Sequence, residues 1–385
     1  MAEAVVKGWP VSLFDCIAPR VKLLLPIMRA LDGITVLDLT RLLPGGAASA
    51  ALQAEGAAVI KIEELGTGDY GRSMPPLIEG MGAVFREING GKKSVALNLK
   101  SAEGQEAFLA LAQTADVVLE GFRPGVMARL KLSYEILSRS NPRLIYAAIT
   151  GYGQSGEMAL KAGHDINYLA ISGVLSVSRS KSGTPVIPGV QLGDLAGGTM
   201  QAVNRILLAL IERTHTGRGQ FVDVSMTAGL NALMAIPHAS YKATGKPMRS
   251  ANETLTGRYA CYNVYQSSDG AWFAVGALEP KFWRAFCSAL NCEELCADQF
   301  ANEPRQTAII ARIAELFAAR RGSEWREFWE SMDACVTPVL SVAETPMMAT
   351  GVAPELGEHT REVLRGLGYD DARIDELAAC GAIGC

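Results

Sequence analysis

The heptapeptide Ala-Gly-His-Asp-Ile-Asn-Tyr at residues 162–168 places His164 directly before Asp165, after a glycine. A glycine-broken run, residues 149–156, precedes it, and an apolar run, residues 169–175, follows it. A histidine beside a carboxylate, where a loop enters the core, can accept and donate protons near neutral pH. The same residues also fit an ordinary helix N-terminus, with Asp165 as the cap and His164 packed in the core. These residues alone leave both interpretations open.

The strands and helices that position this stretch are predicted from apolar runs and from the glycines that separate them. Residues 33–39 and 58–63 read as buried strands, and the alanine-rich residues 47–55 between them as a helix. This strand–helix–strand unit favours a parallel sheet. Further strands are predicted at residues 94–99, 116–120 and 144–149, the last of which leads into the histidine stretch. The fold class is therefore α/β. No Gly-x-Gly-x-x-Gly follows the first strand, so a standard dinucleotide site is not indicated.

The remaining pattern predicts a loop and a second domain. Residues 65–91 are rich in glycine and proline and are expected to form a long loop without regular structure. Residues 199–213 and 226–243 read as helices, and residues 259–265 and 271–276 as a hairpin. We therefore predict an N-terminal extension at 1–27, a large domain at 28–229, a small α+β domain at 230–340, and a C-terminal return to the large domain at 341–385.

Composition narrows the function classes. The chain has 385 residues, of which 49% are hydrophobic and 20% charged, so a sizeable core is expected. A net charge of −4 disfavours a general nucleic-acid binder, and no apolar run is long enough to span a membrane. The eight cysteines are scattered without zinc-finger spacing, which indicates free thiols, a cytoplasmic location and no metal site.

Several segments together carry a family resemblance. Gly-His-Asp-Ile-Asn-Tyr at 163–168 is similar to the catalytic stretch of alpha-methylacyl-CoA racemases, a branch of the family III CoA-transferases. Residues 31–38, 59–63, 89–97, 120–125, 216–220 and 333–339 resemble the same family in order and spacing, over about residues 28–343. The chain departs from the family pattern at Gly46 and in residues 1–27.

The resemblance implies a Rossmann-like large domain, a smaller domain, and a homodimer of two interlocked chains. It also implies a CoA thioester as ligand, with no cofactor beyond the CoA moiety of the substrate. Since CoA carries phosphates, cationic side chains in loops or at strand ends of the sheet domain are candidates to bind it. These candidates are Arg41, Lys61, Lys92, Lys93 and Arg123.

Two reactions compete within the family. The racemase reaction moves the substrate α-proton between two bases, and the resemblance assigns these to His164 and Asp194, with Glu279 supporting the histidine. The transferase reaction uses an aspartate nucleophile, which matches Asp165. Asp194 also fits the cap of the helix predicted near residue 199, and Glu279 fits a charge at a helix N-terminus. A third alternative is a non-catalytic acyl-CoA-binding protein.

Overall fold

The structure is a computed structural model that describes residues 29–180, 182–248, 253–347 and 351–384. The predicted extension at residues 1–27 lies outside the described residues. The strands, in chain order, are β1 (Thr35–Asp38), β2 (Ala58–Glu63), β3 (Leu77–Ile78), β4 (Met81–Gly82), β5 (Lys93–Leu97), β6 (Val117–Glu120), β7 (Ile145–Thr150), β8 (Phe221–Ser225), β9 (Tyr262–Gln266), β10 (Trp272–Gly276), β11 (Val336–Pro338) and β12 (Ile383–Gly384).

A seven-stranded sheet forms the large domain, in the order β12-β5-β2-β1-β6-β7-β8. All neighbouring strands are parallel except β12, which pairs antiparallel with β5. From β1 the chain adds β2 and β5 on one side. It then crosses to the other side of β1 and adds β6, β7 and β8. Such a reversal leaves a crevice at the carboxyl ends of the two central strands, where open α/β sheets bind ligands. The predicted α/β class and Rossmann-like sheet are confirmed.

The helices, in chain order, are α1 (Leu43–Ala54), α2 (Ala83–Asn89), α3 (Ala102–Thr114), α4 (Val126–Arg129), α5 (Tyr134–Ser140), α6 (Asp165–Ile171), α7 (Val174–Val177), α8 (Met200–Thr216), α9 (Met226–Gly229), α10 (Ala235–Thr244), α11 (Pro280–Ala289), α12 (Arg305–Ala318), α13 (Gly322–Glu330), α14 (Thr360–Gly366) and α15 (Asp371–Ala379). A π-helical segment, Gly193–Thr199, runs directly into α8. None of the helices among the described residues is long and apolar enough to cross a membrane.

Two apolar cores cover the two faces of the sheet. Successive residues of each strand point to opposite faces, so Val36 packs with α1 and α8 while Leu37 packs with α3. The second core also takes in α14 and α15 near the C-terminus, and β12 then closes one edge of the sheet. Leu230 and Met234, just beyond the predicted boundary at residue 229, still pack in the first core.

The small domain is built on a three-stranded antiparallel sheet, in the order β11-β10-β9. Its core is aromatic, with Phe317 stacked against Trp325 at 4.7 Å between ring centroids. The predicted hairpin is present as β9 and β10, which pair from Tyr262 to Gly276.

Two local predictions were wrong. The stretch 65–91 was expected to lack regular structure, but it contains α2, the short hairpin of β3 and β4, and a 3-10 turn at Tyr70–Ser73. The stretch 226–243 was expected to be one helix, but it is broken into α9, a 3-10 turn at Leu230–Met234, and α10. Pro237 lies in the first turn of α10, where its missing N–H costs least, so it favours a new helix start there.

Candidate active site

Two cavities open at the carboxyl ends of the central strands. The first, of about 360 Å³, includes Arg41, Tyr70 and Lys100 in its wall; we call it the strand-end cavity. The second, of about 300 Å³, is lined by residues that include Arg123, Lys161 and His164; we call it the histidine cavity. Thr40, Arg41 and Phe122 line both. The cavities thus lie side by side at the crevice that the strand order predicts.

The histidine stretch forms the start of α6. His164 occupies the position before the helix, and Asp165 is its first residue, so Asp165 is not the cap. The Asn167 side chain accepts a hydrogen bond from the His164 backbone N–H at 3.0 Å, which closes the first turn. His164 itself is exposed to the histidine cavity, and Tyr168 is buried behind it. The stretch therefore presents the imidazole to solvent and anchors it through α6.

Two glycines make room for the aromatic wall behind His164. A Cβ at Gly151 would lie 2.3 Å from Cε1 of Tyr168, and a Cβ at Gly163 would lie 2.6 Å from the Tyr152 hydroxyl. Tyr152 and Tyr168 meet edge to face, with ring centroids 5.3 Å apart. Only residues without a side chain fit at these two positions, which explains why glycines flank the motif.

Asp194 reaches the same place from a distant part of the chain. It lies in the first turn of the π-helical Gly193–Thr199 segment, and π-helical turns are frequent at functional sites. Its backbone N–H donates a hydrogen bond to Asp165 at 3.0 Å. Gly197 lets this segment pack closely, since a Cβ there would lie 2.3 Å from the Met226 carbonyl oxygen. Asp194 is therefore positioned by the backbone packing of the π-helical segment.

The charges of His164 and Asp165 both act on the pKa of Asp194. Burial, and next the Asp165 carboxylate, raise the pKa of Asp194 to about 6, while His164 opposes the rise. Burial and then the Asp194 carboxylate raise the pKa of the Tyr168 hydroxyl to about 12. The sequence-predicted residues His164, Asp165 and Asp194 are thus brought together. An acid whose pKa lies near neutrality can both accept and donate a proton under working conditions.

Glu279 is not brought to this site within the chain. It precedes α11 in the small domain and is exposed. Its charge acts on Cys335, whose thiol pKa is raised by burial and then by Asp333 and Glu279. Among the hydrogen bonds and ion pairs of the described residues, none joins Glu279 to His164. Its predicted support of the histidine thus has no counterpart in a single chain.

Of the five cationic candidates, Arg41 and Arg123 line cavities. Arg41 donates hydrogen bonds to the Tyr70 hydroxyl at 2.6 Å and to Glu64 at 3.0 Å, and its guanidinium lies 4.7 Å from the centre of the Tyr70 ring. Arg123 follows β6 in the loop that forms part of the histidine cavity and is exposed. Both guanidinium groups can therefore meet an anionic ligand at the crevice.

Lys61 and Lys92 lie elsewhere than expected. Both side chains are fully buried, Lys61 against Asp69 at 2.9 Å and Lys92 against Asp38 at 3.3 Å. Burial would raise the pKa of Asp38, but the two lysines hold it below its usual range; burial also lowers the pKa of Lys92 to about 8. These ammonium groups satisfy buried carboxylates and are shielded from a ligand in solvent.

Lys93 is exposed but already paired. Its ammonium group contacts Glu362 on α14 at 2.8 Å, away from the residues that line the two cavities. Of the five candidates, Arg41 and Arg123 therefore line the cavities, whereas Lys61, Lys92 and Lys93 do not.

Several residues of this region were not singled out from the sequence. Phe122 separates the two cavities, Tyr152 and Lys161 line the histidine cavity, and Glu120 is buried at the end of β6. Glu120 and Phe122 could have been identified from their position in the sequence, because they flank the point where a predicted strand ends and open α/β sheets bind ligands at such points. In the part of the chain that the structure describes, no three His, Cys, Asp or Glu side chains are grouped to hold a metal ion.

Comparisons with known proteins find relatives that match nearly the whole chain. The human alpha-methylacyl-CoA racemase is 34% identical over 384 residues, covering 90% of this chain and 96% of the racemase. The mouse succinyl-CoA:glutarate CoA-transferase is 30% identical over 398 residues, covering 92% of this chain and 91% of the transferase. The crystal structure of a CAIB/BAIF family protein from Brucella suis is 27% identical with a TM-score of 0.75, covering 88% of this chain and 99% of that one.

A family description extends over most of the chain. The pattern of CoA-transferase family III matches residues 31–360, which include the whole parallel sheet, the histidine stretch, Asp194 and Glu279. The small domain falls within the same match. This protein belongs to CoA-transferase family III.

Proposed function

We propose that this protein is a racemase that interconverts the R and S forms of 2-methyl-branched acyl-CoA thioesters by two-base α-proton transfer. The observation that carries the proposal is the convergence of His164 with Asp194, whose pKa is raised to about 6. The similarity to the human alpha-methylacyl-CoA racemase, over nearly the full length of both chains, supports it.

In the proposed reaction, one base removes the α-proton, and the thioester oxygen takes up the enolate charge. The other base then delivers a proton to the opposite face of the α-carbon. Asp165 accepts the Asp194 backbone N–H, so in this proposal it positions Asp194 rather than reacting. Arg41 and Arg123 bind the anionic groups of CoA. The reaction needs no cofactor beyond the CoA moiety, because the thioester carbonyl of the substrate itself takes up the enolate charge.

A homodimer is part of the proposal. Large apolar side chains of α8 and α10 are exposed in the single chain, among them Met200, Leu208 and Ile236. Large apolar side chains left exposed on neighbouring turns of a helix, such as Leu208 and Ile211, are typical of a protein interface. Since Glu279 does not reach His164 within one chain, its supporting role requires a second chain. Light scattering coupled to size exclusion tests this, and a monomer at assay concentration would contradict both points.

A CoA-transferase is the second candidate. Asp165 is only partly buried and lies at the first position of α6, and an aspartate carboxylate can act as a nucleophile toward a thioester. The relatives also include transferases, such as the mouse succinyl-CoA:glutarate CoA-transferase. In this case the Asp165 carboxylate would attack the thioester carbonyl and displace CoA thiolate, which gives an acyl anhydride. The thiolate would then attack the Asp165 carbonyl and release the donor acid, and an acceptor carboxylate would attack the resulting aspartyl thioester. A second return of the thiolate would form the acceptor's CoA thioester and free Asp165.

One experiment separates the two reactions. The protein is incubated with an R or S 2-methylacyl-CoA in deuterated water without any acceptor acid. The racemase proposal expects deuterium at the α-carbon together with inversion. Transfer of CoA to an added acid, without α-exchange, would overturn it in favour of the transferase. A hydroxylamine-sensitive intermediate on Asp165 would point the same way.

A further inference from the structure

Glu120 differs from every other buried acid in the described part of the chain. Four carboxylates are buried there: Asp38, Glu63, Asp69 and Glu120. Asp38 is paired with Lys92, Glu63 with Arg72, and Asp69 with Lys61. No ion pair of Glu120 occurs among the described residues. A buried carboxylate without a cation costs free energy, so its retention calls for a local reason.

The contacts of Glu120 indicate that reason. Glu120 ends β6, and its carboxylate accepts a hydrogen bond of 2.7 Å from the backbone N–H of Phe122, across the turn at Gly121. The Tyr146 hydroxyl on β7 lies near the same carboxylate and favours its ionised form, which lowers the Glu120 pKa. The register pairs Glu120 with Ala148, so Tyr146 is its diagonal neighbour on the same face of the sheet. The carboxylate thus ties the loop after β6 to the sheet.

The tethered loop forms the wall between the two cavities. Phe122 lines both of them, Arg123 lines the histidine cavity, and the Arg41 guanidinium lies 5.7 Å from the centre of the Phe122 ring. A ligand that extends across the crevice must therefore pass this loop.

We propose that Glu120 is a positioning residue whose ionised carboxylate holds the Phe122–Arg123 wall in the geometry that binds CoA. The inference rests on the proposed function for the identity of the ligand, but the tether itself is a property of the protein alone. An ionised acceptor makes a stronger hydrogen bond to an N–H than a neutral one, so protonation of Glu120 loosens the wall.

The pH range follows from the surroundings of the carboxylate. Burial raises the pKa of Glu120 to about 7, although the Phe122 N–H and the Tyr146 hydroxyl both oppose the rise. Tyr146 is the titratable group that acts on Glu120, and Glu135 on α5 acts in turn on Tyr146. The tether should therefore be strong at pH 8 and weakened at pH 6.

The contribution of Glu120 to folding stability changes with pH in the opposite direction to the strength of the tether. The folded protein keeps a proton on Glu120 at pH values where the unfolded chain, with the usual pKa of 4.5, has released it. The ionised group therefore lowers stability progressively as pH rises from about 4.5 to about 7. Replacement by glutamine removes that cost. If Glu120 were purely structural, its replacement would lower both the stability of the protein and its affinity for CoA. If Glu120 positions the wall, its replacement should lower the affinity for CoA without lowering the stability.

The test compares the wild type with Glu120→Gln, using Glu327→Gln on the exposed surface of α13 as the matched control. At pH 8 we expect Glu120→Gln to bind free CoA about fivefold more weakly by calorimetry, since a charged acceptor is replaced by a neutral one. Its midpoint of thermal unfolding should be equal to or above that of the wild type. At pH 6 the affinities should converge. Titration of other groups or of CoA is common to both proteins and cancels in the comparison.

A ligand-free measurement keeps the inference separate from the proposed function. Amide hydrogen exchange of residues 121–125, corrected for intrinsic rates, should show protection that rises from pH 6 to pH 8 in the wild type and in Glu327→Gln but stays flat in Glu120→Gln. Equal protection in all three proteins would overturn the inference, whether or not CoA binds. Differing protection without any CoA binding would support the tether and contradict the acyl-CoA proposal instead.

Discussion

The backbone N–H of Asp194 donates a hydrogen bond of 3.0 Å to the Asp165 carboxylate, although the two residues are 29 positions apart in the chain. This bond joins the π-helical Gly193–Thr199 segment to the first turn of α6. Asp194 is thereby held close enough to His164 and Asp165 for their charges to act on its pKa. The bond also occupies one oxygen of Asp165, which is the nucleophile of the competing reaction.

Removing either proposed base should have unequal effects on the two epimers. In a two-base racemase each base faces one epimer, so His164→Ala and Asp194→Ala should each suppress α-proton exchange from its own epimer by ~10²–10⁴-fold. Net racemisation must fall equally in both directions, because the equilibrium is unchanged. The measurement is deuterium incorporation into each pure epimer, with His215→Ala on the exposed end of α8 as the control. Equal loss from both epimers in both variants would indicate a single shared base.

Asp165→Asn should shift the pH dependence of exchange. The amide oxygen can still accept the Asp194 N–H, but the negative charge that helps to raise the pKa of Asp194 is gone. Asp194 must be ionised to act as a base, so the acidic limb of the pH–rate profile, expected near pH 6, should move to lower pH. Burial, the larger cause, remains, so the shift should be partial. Activity at pH 8 should survive. Complete loss of activity at pH 8 would favour the transferase, in which Asp165 is the nucleophile.

The adjacent residues Lys92 and Lys93 should differ sharply in their effect on stability. Lys92→Met leaves the fully buried Asp38 without its closest ammonium group, and we expect the free energy of unfolding to fall by about 3 kcal/mol. Lys93→Met removes an exposed pair with Glu362 and should change it little. Urea unfolding followed by circular dichroism measures both. Similar stabilities for the two variants would be inconsistent with a buried ion-pair role for Lys92.

Arg123→Ala should weaken CoA binding more than it slows the reaction. The loss of a guanidinium group from the histidine cavity should raise Kd for free CoA and KM for acyl-CoA roughly tenfold, with kcat nearly unchanged. Such a pattern marks binding that is equal in the ground state and the transition state. Arg139→Ala, on the exposed last turn of α5, is the matched control. Unchanged CoA affinity in Arg123→Ala would remove Arg123 from the site.

The sequence by itself determined the sheet and the location of the histidine stretch. The predicted strands at 58–63 and 144–149 correspond to β2 and β7, because apolar and β-branched runs between turns are a local signal. The strand at 144–149 leads into the histidine stretch, so the sequence also indicated that this stretch follows the carboxyl end of a strand. The helix α2 was missed because the surrounding glycines and prolines dominate the local pattern.

Only the tertiary structure decided which charged residues belong to the site. Lys61, Lys92 and Arg123 look alike in the sequence as cations near strand ends. Yet the first two are buried against carboxylates and the third faces a cavity. The pKa of Asp194 and the tether from Glu120 to Phe122 likewise depend on groups brought together from separate elements. Burial and through-space charge set these properties, and a local pattern of residue types carries information about neither.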